Sequence, residues 1–113
     1  MNRPTPRRAL IVDDDAQNRY LLRALLQGHG WAVDEAHDGA QALAQALATP
    51  PDLVISDLLM PVMDGYTLLR RWKQDPRLQQ IPFIVYTATY TDPKDEDLAL
   101  ALGASAFIVK PAE

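Results

Sequence analysis

Residues 52–65 read DLVISDLLMPVMDG, and this stretch decides the fold. Two prolines precede an apolar run at 53–55, which is typical of a short strand that is buried on both faces. The run leads into Asp57. A carboxylate at the end of a buried strand is costly unless the protein uses its charge, and ligands of open parallel sheets bind at this end of the strands. Asp57 is therefore the candidate reactive residue.

Four more strands are predicted around this one, from runs of apolar or alternating residues at 8–13, 31–36, 82–87 and 106–109. Helices are predicted between them, over 16–30 with a stop at residue 28 or 30, over 40–48, over 66–73, and ahead of Gly103. Strands that alternate with helices indicate a parallel sheet with helices on both faces. We therefore predict an α/β fold, a doubly wound five-stranded parallel sheet in the flavodoxin-like order 2-1-3-4-5.

Local patterns add detail to these elements. The first helix carries an apolar stripe that we expect to face the core, made of Tyr20, Leu21, Leu22, Ala24 and Leu25. The fourth helix holds leucines at 98, 100 and 102. Asp15 is a natural N-cap for the first helix, and the polar residues at 34 and 35 suggest an edge strand. Residues 1–7 read as a flexible lead-in.

Length and composition narrow the class of protein. A chain of 113 residues fits one domain, and its 48% apolar content is enough for one core. Cysteine is absent, which suits a cytoplasmic protein. The net charge of −4 argues against nucleic acid as the partner of this chain. No run approaches the ~20 apolar residues of a membrane span, so we expect no membrane segment.

Four predicted strands end in a polar residue that could take part in chemistry: Asp13, Asp57, Thr87 and Lys110. The carboxyl ends of parallel strands share one edge of the sheet, and strands 1 and 3 are neighbours in the predicted order. Asp13, Asp14 and Asp57 should therefore lie close together. Carboxylates this close raise one another's pKa unless a cation lies among them. Oxygen ligands of this kind suit Mg²⁺, with Mn²⁺ as the alternative.

These residue types fit phosphoryl transfer. A cation and Lys110 would neutralise the phosphoryl oxygens, and Thr87 would donate a hydrogen bond. The Asp57 carboxylate would serve as the nucleophile and form an aspartyl-phosphate.

The motifs IVDDD at 11–15, ISDLLMPVMDG at 55–65, VYTA at 85–88 and FIVKP at 107–111 together resemble the receiver domain of two-component response regulators. The resemblance spans residues 8–113 and implies a phosphorylation-dependent switch rather than an enzyme, with only self-phosphorylation and self-dephosphorylation. It also implies a histidine kinase or phosphotransfer protein as the phosphoryl donor.

The resemblance assigns a role to each matching position. Asp14 would be a direct Mg²⁺ ligand, Asp13 would act mainly through water, and the Leu59 carbonyl would join the metal shell. Asp57 would be both ligand and phosphoacceptor. The phosphoryl group would be bound by Thr87 and Lys110, and Phe107 would turn inward when Thr87 moves. The resemblance further implies a cis bond before Pro111, and an influence of Leu59 and Thr89 on the lifetime of the phosphoryl group.

Two features depart from the family's pattern. The segment from Thr87 to Lys110 is about one residue longer than is common, and the extra residue falls within 88–93. The family's fifth helix, which follows the Lys-Pro motif, is missing. Without this helix, one face of the sheet is expected to leave apolar residues uncovered. We expect either that the chain is a fragment of a longer protein, or that a homodimer or a partner domain covers this face.

Two other functions remain open from the sequence. A receiver that has lost phosphorylation could act as a docking module, and failure to bind millimolar Mg²⁺ would favour that reading. A phosphohydrolase resembling the haloacid-dehalogenase class would also use an aspartate, Mg²⁺, a threonine and a lysine. That class places its nucleophile on the first strand in a DxDx[TV] pattern. Asp13 and Asp15 match its aspartates, but the residue after them does not fit.

Overall fold

The computed structural model describes residues 6–88 and 92–110. Its strands are β1 (Arg8–Val12), β2 (Ala32–Ala36), β3 (Leu53–Ser56), β4 (Phe83–Thr87) and β5 (Ala106–Val109). Its helices are α1 (Ala16–Gly28), α2 (Gly39–Ala48), α3 (Gly65–Gln74) and α4 (Pro93–Ala101). The predicted alternation of strands and helices is confirmed, and the predicted ends agree to within a few residues.

All five strands pair in parallel in the order β2-β1-β3-β4-β5, as predicted. β1 lies between β2 and β3, with Val12 opposite both Ala36 and Ser56. The predicted edge position of β2 is therefore confirmed. This order brings the carboxyl ends of β1 and β3 side by side, where ligands of such folds bind.

An aspartate begins each of the four helices and accepts a hydrogen bond from a main-chain amide of the first turn. These N-caps are Asp15, Asp38, Asp64 and Asp92. Such a cap satisfies one of the amides that the first helical turn leaves without a partner. The Asp-Gly pairs at 38–39 and 64–65, which have the composition of turns, are the starts of α2 and α3.

The main core lies on one face of the sheet, under α2, α3 and α4. Alternate strand residues enter it, including Leu10, Val54 and Val85. The rings of Trp72 and Phe83 meet edge to face with centroids 5.7 Å apart, and both side chains are fully buried. α1 covers the opposite face over β1 and β2, so the prediction of helices on both faces is confirmed.

The predicted inward stripe of α1 is wrong for most of its members. Tyr20, Leu21 and Leu25 are 58–67% exposed, and Ala24 is exposed as well. The helix turns toward the sheet with residues 18, 19, 22, 23 and 26, which are all partly buried. This orientation places two arginines over the Glu35 carboxylate of β2. The side of α1 that faces the sheet thus carries these ion pairs as well as partly buried leucines.

Two leucines of α4 are also more exposed than leucines of a helix face that packs on the core. Leu98 and Leu100 are 46% and 43% exposed, whereas Ala99 is fully buried. The helix is capped at Asp92 and has Gly103 at a φ of 111° just beyond its end, as expected for a helix terminated by glycine.

Some expectations fall outside the described residues. The cis bond before Pro111 and the role of Thr89 belong to this group, as does most of the lead-in at 1–7. Among the residues that the structure does describe, no helix has the length and apolar character needed to cross a membrane.

Candidate functional site

The site forms where the chain leaves β1 and β3. Asp13 follows β1, and its amide donates to the Ala36 carbonyl at 3.1 Å. Asp57 follows β3, and its amide donates to the Val12 carbonyl at 2.9 Å. The sheet pairing therefore continues one residue past both strands and fixes the backbone of the two aspartates side by side.

Asp13, Asp14 and Asp57 each offer a carboxylate oxygen, and these oxygens lie within 4.8 Å of one another. Asp13 is buried at 2% exposure, whereas Asp14 is exposed and gives the cluster an opening to solvent. An all-oxygen donor set with one open side suits Mg²⁺, which keeps several of its waters when it binds. The residues present thus fit a hard divalent cation, with Mg²⁺ and Mn²⁺ as the candidates.

Lys110 places its ammonium beside this cluster. Its Nζ lies 2.5 Å from Asp13 Oδ2 and 3.3 Å from Asp57 Oδ2, and its side chain is only 7% exposed. Burial by itself lowers the pKa of Lys110, but the hydrogen bonds and charges of Asp13 and Asp57 outweigh it and raise this pKa above its usual value. Lys110 is therefore a fixed positive charge that contacts the candidate nucleophile.

The other oxygen of Asp57 is also held. Oδ1 accepts the amide of Leu58 at 2.7 Å, and the side chain is 11% exposed. The next residue, Leu58, is held in turn, because its carbonyl accepts the Gly65 amide at 2.8 Å. The Asp57 carboxylate is thus oriented by one main-chain donor and one ammonium, and it keeps a small opening to solvent.

Thr87 and Phe107 lie on the neighbouring strands. Thr87 ends β4 and is fully buried, and its carbonyl accepts the amide of Lys110 at 2.8 Å. Phe107, which pairs with Val85 in the sheet, is partly buried and packs on the main core. The predicted switch residues therefore sit on adjacent strands, and the threonine adjoins the backbone of the lysine. Their movement stays a prediction.

The loop after Asp57 carries the remaining predicted ligand. The Leu59 side chain is 57% exposed, and its carbonyl stays a predicted metal ligand. Further along, the Met63 amide donates to the Pro61 carbonyl at 2.7 Å, which makes a γ-turn with Val62 at its centre. Val62 has a φ of 69°, and its side chain is 84% exposed.

One site residue escaped the sequence reasoning. Tyr86 offers the face of its ring to Lys110, with Nζ 5.3 Å from the ring centroid. This distance allows a cation–π attraction that helps to hold the ammonium in place. Alternation along β4 could have found Tyr86, since it points to the opposite face from its buried neighbours Val85 and Thr87.

The fold and the site together define a doubly wound α/β protein with a cluster of carboxylates and a buried lysine at the switch point of its sheet. The family described as "Response regulator receiver domain" matches residues 9–113, so the chain belongs to this family. Receiver domains of response regulators are in general switches rather than enzymes, and they interact with histidine kinases or phosphotransfer proteins.

Relatives agree with this assignment. The chain is 41% identical over 106 residues to the response regulator PleD of Caulobacter vibrioides. The matching region covers 94% of this chain but only 23% of PleD. The signal receiver domain of a signal transduction histidine kinase from Syntrophus aciditrophicus is 39% identical with a TM-score of 0.85, over 94% of this chain and 80% of that one. The chemotaxis response regulator CheY4 of Vibrio cholerae is 33% identical with a TM-score of 0.88, over 96% and 90% of the two chains.

Proposed function

We propose that Asp57 accepts a phosphoryl group from a histidine kinase or a phosphotransfer protein in a Mg²⁺-dependent reaction. The observation that carries this proposal is the position of the Asp57 carboxylate. It is fixed between the Lys110 ammonium and the Leu58 amide, within 4.8 Å of two further carboxylates. A cluster of acids that contains a buried aspartate bound to an ammonium is an unusual arrangement for stability alone, and perturbed groups of this kind cluster at functional sites.

The transfer step follows from the groups present. An oxygen of Asp57 attacks the phosphorus of a phosphohistidine, a new P–O bond forms and the P–N bond breaks. The imidazole nitrogen leaves with the electron pair of that bond. We assign Asp57 rather than Asp13 as the nucleophile because the Asp57 side chain is 11% exposed and lies 3.3 Å from the Lys110 ammonium, whereas Asp13 is 2% exposed and is held by Lys110 at 2.5 Å.

Charge neutralisation is the main task of the surrounding residues, since a transferred phosphoryl group carries negative charge on three oxygens. Lys110 contacts Asp57 directly and would move its ammonium onto a phosphoryl oxygen. Thr87, whose carbonyl accepts the Lys110 amide, would donate a hydrogen bond from its hydroxyl to another phosphoryl oxygen. Asp13, Asp14 and Asp57, with the Leu59 carbonyl, would hold Mg²⁺. The ion would supply further positive charge to the phosphoryl oxygens.

The switch would begin at Thr87. If its hydroxyl moves toward the phosphoryl group, it leaves space beside β5, and Phe107 is the partly buried ring on the adjacent strand that could fill this space. The phosphoryl group must interact differently with the two arrangements for the population to shift. We propose this Thr87–Phe107 face as the surface that reports phosphorylation.

We further propose that residues 8–113 act as a receiver unit in the cytoplasm. A second copy of the chain or a partner domain would cover the sheet face around Ile108, which is 39% exposed. The chain spans 23% of the length of PleD. The phosphoryl donor of this chain is therefore part of the proposal and does not follow from the similarity to PleD.

The proposal is tested by intact-mass spectrometry after incubation with acetyl phosphate, with and without Mg²⁺. We expect a Mg²⁺-dependent gain of one phosphoryl group that is lost in Asp57→Asn. The matched control is Asp64→Asn, which removes an acid from the same loop but keeps a good N-cap for α3. Equal labelling of the wild type and Asp57→Asn would refute the assignment of the site. Absence of labelling together with absence of Mg²⁺ binding would instead favour a docking receiver.

A further inference from the structure

Arg19 links the candidate site to β2. It lies in the first turns of α1, and its Nη1 donates to the main-chain carbonyl of Asp13 at 2.6 Å. Its Nε donates to Glu35 Oε1 at 3.0 Å. The side chain is 18% exposed and that of Glu35 24%, so both bonds are partly shielded from water. One guanidinium therefore spans from the end of β1 to the neighbouring strand.

The bond from Arg19 completes a set of restraints on Asp13. Its amide is paired with the Ala36 carbonyl, and its Oδ1 accepts the amide of Asp15 at 2.9 Å. Its Oδ2 is bound to Lys110. With Arg19 on the carbonyl, both polar groups of the Asp13 main chain and both carboxylate oxygens have a partner. The carbonyl belongs to the peptide that leads into Asp14, so its direction helps to set where the Asp14 side chain points.

Glu35 keeps Arg19 in this orientation. One of its carboxylate oxygens accepts a hydrogen bond from Arg19, and the other forms an ion pair with Arg23. Its main-chain carbonyl accepts from the Gln45 amide group at 3.1 Å. A planar guanidinium that is held at one nitrogen presents its other donors in a fixed direction. Lysine has a single, freely rotating ammonium and could not make both bonds in the same way.

We propose that Arg19 is a positioning residue for the cation site: it fixes the Asp13–Asp14 peptide so that the two carboxylates stay directed toward Asp57. This inference rests on the proposed function for its metal, and on the contacts of Arg19 and Asp13 for the rest. Arg19 touches neither of the reacting groups and acts through the Asp13 carbonyl. Outer partners that orient metal ligands in this way strongly affect metal affinity.

A matched control exists in the same helix. Arg23 lies one turn further along α1 and binds the same Glu35 carboxylate, and among the residues that the structure describes it has no bond to Asp13. Arg23→Gln therefore removes the same charge and an ion pair with the same partner. Arg19→Gln does this too but also frees the Asp13 carbonyl. Arg19→Lys keeps the charge while losing the planar fork.

Two measurements test the proposal in the whole chain. The first is the Kd for Mg²⁺ by calorimetry. The second is the hydrogen exchange rate of the Asp15 amide, measured by NMR in metal-free protein, because this amide reports directly on the Asp13 carboxylate. We expect Arg19→Gln and Arg19→Lys to weaken Mg²⁺ binding by about tenfold and to speed this exchange severalfold. Arg23→Gln should leave both within about twofold, since the Asp13 carbonyl keeps its donor.

The outcomes separate positioning from charge. If Arg19→Lys restores Mg²⁺ affinity and Asp15 exchange to wild-type values, charge alone is involved and the proposal is refuted. Equal effects of Arg19→Gln and Arg23→Gln would refute it as well. If the wild type takes up no Mg²⁺, the proposed function fails. The positioning role is then decided by the Asp15 exchange rates in metal-free protein, and it fails if Arg19→Gln leaves them unchanged.

Discussion

Gly65 lies where the loop after Asp57 enters α3, and there is no room for a side chain at this position. A Cβ built at this position would lie 2.2 Å from the Asp57 carbonyl oxygen and 2.8 Å from the Leu58 Cα. The shorter distance is more than 1 Å below the ~3.5 Å at which non-bonded atoms make contact. Both neighbours are backbone atoms, so Gly65→Ala cannot be accommodated by rotating a side chain. The Asp57–Leu58 peptide must move or the start of α3 must shift.

The cost of this movement can be estimated from two terms. Overpacking in a tight site costs about 1–3 kcal/mol, and the hydrogen bond from the Gly65 amide to the Leu58 carbonyl contributes roughly 1 kcal/mol. We therefore expect Gly65→Ala to lower the free energy of unfolding by about 2–4 kcal/mol. Because the peptide that moves carries the Asp57 carbonyl, labelling by acetyl phosphate should fall as well.

Urea denaturation followed by tryptophan fluorescence measures this loss. Gly28→Ala is the control, because Gly28 ends α1 and a Cβ there would meet nothing within 4 Å. Alanine has the higher helix propensity, so this variant should be more stable by up to about 1 kcal/mol. Surface substitutions usually change the free energy of unfolding by no more than about 0.5 kcal/mol. If the free energy of unfolding of Gly65→Ala differs from that of the wild type by no more than this, the argument from close approach is wrong.

Two further predictions concern the same loop and its neighbour. Val62→Gly should raise the free energy of unfolding by about 1 kcal/mol, because it relieves a β-branched residue at positive φ whose side chain is largely in water; a lower value in urea denaturation would contradict this. Burial and the hydrogen bond to Asp95 raise the pKa of Tyr66 to about 12 from 10.0, so the folded chain keeps the phenol proton where the unfolded chain loses it. The stabilisation from the Tyr66 phenol is therefore complete below pH 10 and is lost toward pH 12. We expect Tyr66→Phe to be less stable than the wild type by about 1 kcal/mol at pH 7, and this difference should shrink between pH 10 and pH 12. A stability difference between these two proteins that stays constant from pH 9 to pH 12 would refute the assignment.

The sheet and the gathering of acids could be predicted because each depends on a local signal. Apolar runs such as 53–55 mark buried strands whatever surrounds them, and alternation with helices leaves few parallel topologies. Once the order was fixed, Asp13 and Asp57 had to meet. Lys110 could be added because it follows the last strand at the same edge. The N-cap at Asp15 was equally local.

The orientation of α1 could not be predicted in this way. Its sequence offers two faces with apolar residues, one with Leu21 and Leu25 and one with Leu22 and Leu26. The face that turns inward also carries the two arginines that pair with Glu35, a residue on another strand that reads as solvated when taken alone. Ion pairs between elements have no periodicity in the sequence, so the pattern along α1 gave no sign that its arginines would face the sheet. The same reason hid the contact of Arg19 with Asp13.

The bonds of Lys110 span much of the chain. Its ammonium pairs with Asp13 across 97 residues and with Asp57 across 53. Contacts this distant in sequence form late, since long loops must close before they can be made. During synthesis the acidic residues emerge from the ribosome long before the lysine that neutralises them. A nascent chain that has not reached residue 110 therefore carries an acidic cluster without its counter-charge. Under the proposed function, competence for phosphorylation would arise only once Lys110, which follows the last strand, has joined the two aspartates.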